Sequence, residues 1–190
     1  MKKLIVAVSG ASGMPIAVKL LQMLQEIAEI EVHLIVSRWG KMTLQQETAL
    51  NYQQLCQLAT AVYHNHDLGA AIASGSFRTD GMIIVPCSMK TLAAIRIGLS
   101  DNLIARAADV ILKERRKLLL VTRETPLNSI HLENMLSLTK MGAIIFPPTI
   151  AFYQKPQQIE QIVTQMVVRM LDQFDIAHPL AERWQGLEHD

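Results

Sequence analysis

Two cysteines, four phenylalanines, two tryptophans and three tyrosines are all that 190 residues supply of these types. Cys56 and Cys87 make no spaced framework, which excludes a disulfide scaffold and suits a reducing cytoplasm. Charge of one sign is also lacking. With 18 Lys and Arg against 17 Asp and Glu, the net charge of +1 leaves no electrostatic footprint for nucleic acid or a membrane surface. No apolar run approaches the roughly 18 residues of a membrane span. The opening Met1-Lys2-Lys3 and Leu4–Val8 imitate a secretion signal, but the apolar stretch is shorter than the 7–15 or so residues of a signal core. Aspartates are scattered singly (Asp67, Asp80, Asp101, Asp109), so no carboxylate cluster is on offer for a magnesium diphosphate. His64 and His66 alternate without a third ligand, which argues against zinc, and no metal site is expected.

What is present is apolar: 50% of the chain, enough for one domain with a sizeable core. Ten methionines point to core filling, with an oligomer interface as the sharper alternative. Apolar runs at Leu4–Val8, Val32–Val36, Met82–Val85, Leu118–Val121 and Ala143–Phe146 read as five strands. Helical spacing recurs between them, at Ala17–Ala28, Lys41–Ala49, Tyr52–Ala59, Lys90–Ile97, Asn102–Arg115 and His131–Lys140. A last long helix begins at Ile159 and carries a continuous apolar stripe to Phe174. This alternation predicts a single-domain α/β fold, a doubly wound parallel sheet of Rossmann or flavodoxin type with helices on both faces.

In such sheets ligands lie beyond the carboxyl ends of the strands. Ser9-Gly10-Ala11-Ser12-Gly13, between the first strand and the first helix, offers free amides and a helix dipole to a phosphate. It lacks the third glycine of the dinucleotide fingerprint, so NAD is not the favoured ligand. The other strand ends carry Ser37, Pro86-Cys87-Ser88-Met89-Lys90-Thr91, Arg123-Glu124-Thr125-Pro126 and Pro147-Pro148-Thr149. Ser88 and Thr91 serve either to cap the helix they open or as ligand contacts. Cys87 reads as a small buried hydrophobe, since no base is tied to it. Arg169 flanks the apolar stripe, where snorkelling to solvent is the ordinary explanation. Trp39 and Trp184 belong to no periodic pattern and suit a surface or lid.

Taken together, these segments resemble the UbiX-type flavin prenyltransferases, within the flavoprotein family that includes cysteine decarboxylases. The likeness rests on Gly10–Gly13, Ser37, Gly69–Phe77, Pro86–Thr91, Asp109–Arg116, Arg123–Leu127 and Pro147-Pro148, in the family's order along nearly the whole chain. It implies an enzyme that joins the dimethylallyl group of dimethylallyl monophosphate to reduced FMN without a metal. The product, prenylated FMN, is the cofactor of UbiD-type decarboxylases. It implies FMN contacts at Gly10, Ala11, Ser12, Ser37, Ser88, Met89, Lys90, Thr91 and Arg123. The prenyl phosphate would meet Lys113, Glu124, Tyr153 and Arg169, with Arg106 and Glu47 close by. Ser12, Glu47 and Glu124 are the implied proton carriers, in roles left interchangeable. Residues 1–175 would form the flavin-binding domain, and 176–190 a tail whose Trp184 closes over the site. A homo-oligomer, commonly a dodecamer with sites between subunits, is implied too.

Two rivals remain at this point. A cysteine-peptide or phosphopantothenoylcysteine decarboxylase would call for a Pro-x-Met-Asn string, which the sequence lacks. A non-catalytic flavin-binding regulatory subunit would not require chemistry-bearing residues at every strand end.

Overall fold

The structure, a computed structural model, describes residues 1–186. Its strands are β1 (Lys2–Val8), β2 (Ile30–Val36), β3 (Ala61–His64), β4 (Gly81–Cys87), β5 (Lys117–Thr122) and β6 (Ile144–Ile145). Its helices are α1 (Met14–Gln25), α2 (Arg38–Glu47), α3 (Tyr52–Cys56), α4 (Met89–Arg96), α5 (Leu103–Lys113), α6 (Ser129–Lys140) and α7 (Ile159–Asp172). The strands form one parallel sheet in the order β3-β2-β1-β4-β5-β6. This is the doubly wound architecture that the alternating pattern predicted.

Helices cover both faces of the central strands, so β1 and β4 read as unbroken apolar runs rather than alternating ones. All seven residues of β4 are buried. Successive side chains still point to opposite faces. Leu4, Val6, Val8, Ile83 and Val85 pack against Leu20 and Leu24 of α1 and Val167 and Leu171 of α7. Ile5, Ala7, Met82, Ile84 and Leu120 pack on the other face against Leu92 of α4 and Ile104 and Ala108 of α5. Met14, Met23, Met82 and Met170 are fully buried, which is the core-filling use of methionine.

One expectation needs correction. The five expected strands are six, the additional one being β3. It lies at the sheet edge, and Ala-Val-Tyr-His alternates half-buried with exposed positions, so no apolar run announces it. The first residues after 175 pack on the domain. Ile176 belongs to the α1/α7 core and His178 is buried. Residues 187–190 of the expected tail lie outside the described residues. At the opposite end of the sheet, Lys2 Nζ donates to the Phe174 carbonyl at 2.6 Å and Lys117 Nζ reaches Asp175 at 2.7 Å. The end of α7 is thereby tied to the amino-terminal edge of the strands.

Candidate active site

Strand order reverses between β1 and β4, so the crevice of a doubly wound sheet opens at their carboxyl ends. Ser9 stitches the two together: its Oγ donates to the Pro86 carbonyl at 2.8 Å and accepts from the Ser88 N–H at 2.8 Å. The Ser37 N–H donates to the Val8 carbonyl at 2.9 Å, and the Arg123 N–H to the Cys87 carbonyl at 3.2 Å. Through these backbone bonds Ser37, the 10–13 turn, Ser88 and Arg123 share one rim. Ser37 caps α2, its Oγ accepting from the Gly40 N–H at 2.9 Å. Ser88 caps α4, its Oγ accepting from the Thr91 N–H at 3.3 Å and lying 3.0 Å from the Thr91 hydroxyl. Capping and ligand contact are not exclusive, since a hydroxyl that accepts from an amide keeps its own proton to donate.

The amides of Gly10, Ala11, Ser12, Met89 and Lys90 donate to nothing among the described residues. Two loops of unpaired donors thus face the crevice, one of them at the positive end of the α4 dipole. A Cβ on Gly10 would overlap the Cβ of Trp39, so only glycine lets the β1–α1 turn lie against the start of α2. Trp39 itself is exposed beside that turn. Donor amides, two hydroxyls and the Arg123 guanidinium fit a phosphorylated, hydrogen-bonding heterocycle such as FMN.

The amides nearest the start of α1, those of Gly13 and Met14, are paired within the chain, and only those of Gly10, Ala11 and Ser12 are left open among the described residues. Glu47 Oε2 accepts from the Gly13 N–H at 2.8 Å and the Met14 N–H at 2.9 Å. An internal carboxylate therefore occupies the positive end of the helix. Partial burial pushes the Glu47 carboxyl upward. The Ser12 hydroxyl, the two amides and the Arg123 charge outweigh this and hold it below its usual value. Glu47 is thus ionised at neutral pH, with Ser12 as its side-chain neighbour.

The remaining expected residues divide into separate places. Glu124 is exposed next to Arg123, its Oε1 accepting from the Thr125 N–H at 3.1 Å. Tyr153 and Arg169 line a cleft of about 440 Å³ between the 146–158 segment, α7 and the tail. The Trp184 ring meets Tyr153 edge-on, with centroids 5.5 Å apart. Arg106 and Lys113 lie on α5. Arg106 pairs with Asp109 at 2.9 Å and donates to the Ala73 carbonyl at 3.1 Å, and Lys113 pairs with Glu114. A single chain does not gather the residues expected around the prenyl phosphate, because α5 and α7 pack on opposite faces of the sheet.

Cys87 is fully buried, and burial pushes its thiol up to about 12, which makes it inert as a nucleophile. The Gly69–Phe77 stretch braces α5 and the turn after it: Arg106 of α5 donates to the Ala73 carbonyl, and Arg116, just beyond the helix, to the carbonyls of Gly75 at 2.8 Å and Phe77 at 3.1 Å. Sequence reasoning missed the Ser9 stitch and Asp172. Only the position of Ser9 at a strand end could have pointed to it.

The family model for flavoproteins matches residues 1–171. A Bacillus subtilis protein described as a probable UbiX-like flavin prenyltransferase is 58% identical over 186 residues, covering 98% of this chain and 91% of its own. Among solved structures, a dodecameric FMN-dependent UbiX-like decarboxylase from Escherichia coli O157:H7 superposes with a TM-score of 0.96 at 54% identity, covering 97% of this chain and all of its own. The UbiX protein AnUbiX (PadA1), solved with FMN and dimethylallyl pyrophosphate, gives a TM-score of 0.96 at 50% identity over 98% of this chain and 99% of its own. With likeness of this degree along its whole length, the chain belongs to the flavoprotein family, in the branch of the UbiX-type flavin prenyltransferases.

Proposed function

We propose that the β1/β4 rim binds reduced FMN and that the chain joins to it the dimethylallyl group of dimethylallyl monophosphate. The observation that carries this reading is the rim itself. Unpaired amides from two strand-end loops converge there with Ser37, Ser88, Thr91 and Arg123 beside an ionised Glu47. When bound, FMN supplies N5 and C6 as the two carbon-accepting positions.

Gly10, Ala11, Ser12, Met89 and Lys90 present main-chain donors, and Ser37, Ser88 and Thr91 present hydroxyls. Arg123 adds a fixed cation. Glu47, held ionised, accepts the proton that the second carbon bond releases, with Ser12 as its relay. Glu124, exposed beside Arg123, would meet the prenyl phosphate.

A phosphate departs with the electron pair of its C–O bond only where fixed donors receive its charge. Lys113, Arg106, Arg169 and the Tyr153 hydroxyl are those donors, and Trp184 supplies an aromatic cover for the allylic carbon. Their opposite-face positions in one chain favour delivery by neighbouring copies. The assembly is a homo-oligomer, a dodecamer on the pattern of the Escherichia coli relative. Exposed Ile130, Leu132 and Leu136 on α6, with Phe152 and Ile159, supply apolar contact surface for it. The tail segment that carries Trp184 would close over a neighbour's rim rather than its own. Prenylated FMN would then pass to a UbiD-type decarboxylase in the cytoplasm. No helix among the described residues is long and apolar enough to cross a membrane.

Anaerobic incubation of the oligomer with reduced FMN and dimethylallyl monophosphate tests the reading. Mass spectrometry should show a flavin heavier by one isoprene unit, with release of inorganic phosphate. Recovery of unmodified FMN alone would overturn it.

A further inference from the structure

Asp172, the last residue of α7, holds two guanidinium groups on one carboxylate. Arg183 grips it with both ends of its fork, Nη2 to Oδ1 at 2.8 Å and Nη1 to Oδ2 at 3.0 Å. Arg169 reaches the same Oδ2 through Nη1 at 2.8 Å. The carboxylate is only 15% exposed, whereas the two arginine side chains are 58% and 51% exposed. Burial thus falls on the hub, and both cations face outward.

This arrangement has two consequences. Arg169 spends one nitrogen on Asp172, and its Nε and Nη2 bond to nothing among the described residues. That free edge is the fork with which a guanidinium takes two oxygens of a phosphate. Two positive charges also share the one carboxylate of Asp172, while Glu160 and Glu182 line the cleft that Arg169 enters. The second consequence concerns the tail. Arg183 directly precedes Trp184, whose ring abuts Tyr153. Gln154 Nε2 also donates to the Glu182 carbonyl at 3.1 Å, and Gln165 Nε2 to the Leu180 carbonyl at 3.5 Å. The tail is therefore strapped along α7, and its charged fastening is the carboxylate that holds Arg169.

We propose that Asp172 is a positioning residue which aims Arg169 at the prenyl phosphate and, through Arg183, couples that aim to the seating of the tail and Trp184. The proposal rests on the reading above that Arg169 receives the phosphate.

The test compares the intact oligomers of Asp172→Asn, Arg183→Gln and Arg169→Ala. FMN affinity is read by flavin fluorescence, and KM and kcat for dimethylallyl monophosphate by phosphate release. Asp172→Asn and Arg183→Gln should each raise that KM roughly tenfold, the loss expected of one charge-assisted hydrogen bond. kcat should move far less than KM, and FMN affinity should stay as in the wild type. In a Trp39→Phe background, where Trp184 is the remaining tryptophan, Arg183→Gln should also make the fluorescence more accessible to acrylamide. Asp172→Glu, which keeps the charge, should recover part of the KM.

A raised KM in Arg169→Ala alone, with Asp172→Asn and Arg183→Gln at the wild-type value, would overturn the hub while sparing the role of Arg169. An unchanged KM in Arg169→Ala would refute the Arg169 reading and this proposal with it. Should Asp172→Asn fail to fold, Arg183→Gln decides by itself, because it leaves the Arg169–Asp172 pair in place. Greater quenching without any change in KM would then refute the coupling.

Discussion

Glu47→Gln separates what a buried-end carboxylate does for the fold from what it does for the reaction. Glutamine keeps the shape and an oxygen that accepts hydrogen bonds, but not the charge. The Gly13 and Met14 amides donate to that oxygen at 2.8 and 2.9 Å, so two charge-assisted bonds become neutral ones. Each such change costs about 1 kcal/mol, giving about 2 kcal/mol in all. For a chain of this size that lowers the thermal midpoint of the flavin-free protein by about 4–8 °C at neutral pH. The folded-state carboxyl titrates below its ordinary value of 4.5. Its stabilisation is therefore complete above the unfolded-chain value and is lost as pH falls through the lower, folded-state value. The gap between wild type and Glu47→Gln should be full at pH 7 and should close in acid below that range. Turnover should fall separately by about a hundredfold or more, the scale of a lost proton acceptor, with FMN still bound. Equal midpoints at pH 7 would refute the anchoring role, and wild-type turnover would refute the proton-accepting one.

Removing the stitch between β1 and β4 should be costly in another way. Ser9→Ala leaves the part-buried Ser88 N–H without the acceptor that the buried Ser9 hydroxyl provides, a loss of about 1–3 kcal/mol in chemical denaturation; unchanged stability would contradict this account of the rim. Thiol labelling of the native protein by iodoacetamide at mildly alkaline pH should modify Cys56 alone, with Cys87 reacting only after denaturation. Labelling of Cys87 in the folded state would show that its strand end is open to solvent.

Much of this fold was legible because its central strands are buried on both faces. Leu4–Val8 and Met82–Val85 are continuous apolar runs closed by serine, glycine or proline, and they lie where the pattern put them. β3 was not legible, since an edge strand of four half-exposed residues carries no run to read. β6 is shorter than Ala143–Phe146 suggested, because its ladder to β5 extends over only two residues. At the site, Ser88 was readable as a residue that opens a helix and Ser37 as the end of a strand. Glu47 was placed at the site by family likeness, but its hold on the start of α1 depends on α2 folding back across 34 positions. The Ser9 stitch spans 77 positions and the Arg183 fork 11, and neither separation matches a local motif. The division of the phosphate donors between two faces follows from which helix covers which side, a property of topology rather than of any residue string.

That division makes the central claim testable by mixing subunits. Arg169→Ala and Lys113→Ala variants, each deficient alone at a dimethylallyl monophosphate level far below its raised KM, are co-expressed in equal amounts with different tags, and the mixed oligomers are purified through both. If each rim draws Arg169 from one neighbour and Lys113 from another, random assembly restores about a quarter of the wild-type rate of prenylated FMN formation. No recovery in verified mixed oligomers would mean that one chain supplies both groups to the same site, contrary to the opposite-face placement of α5 and α7.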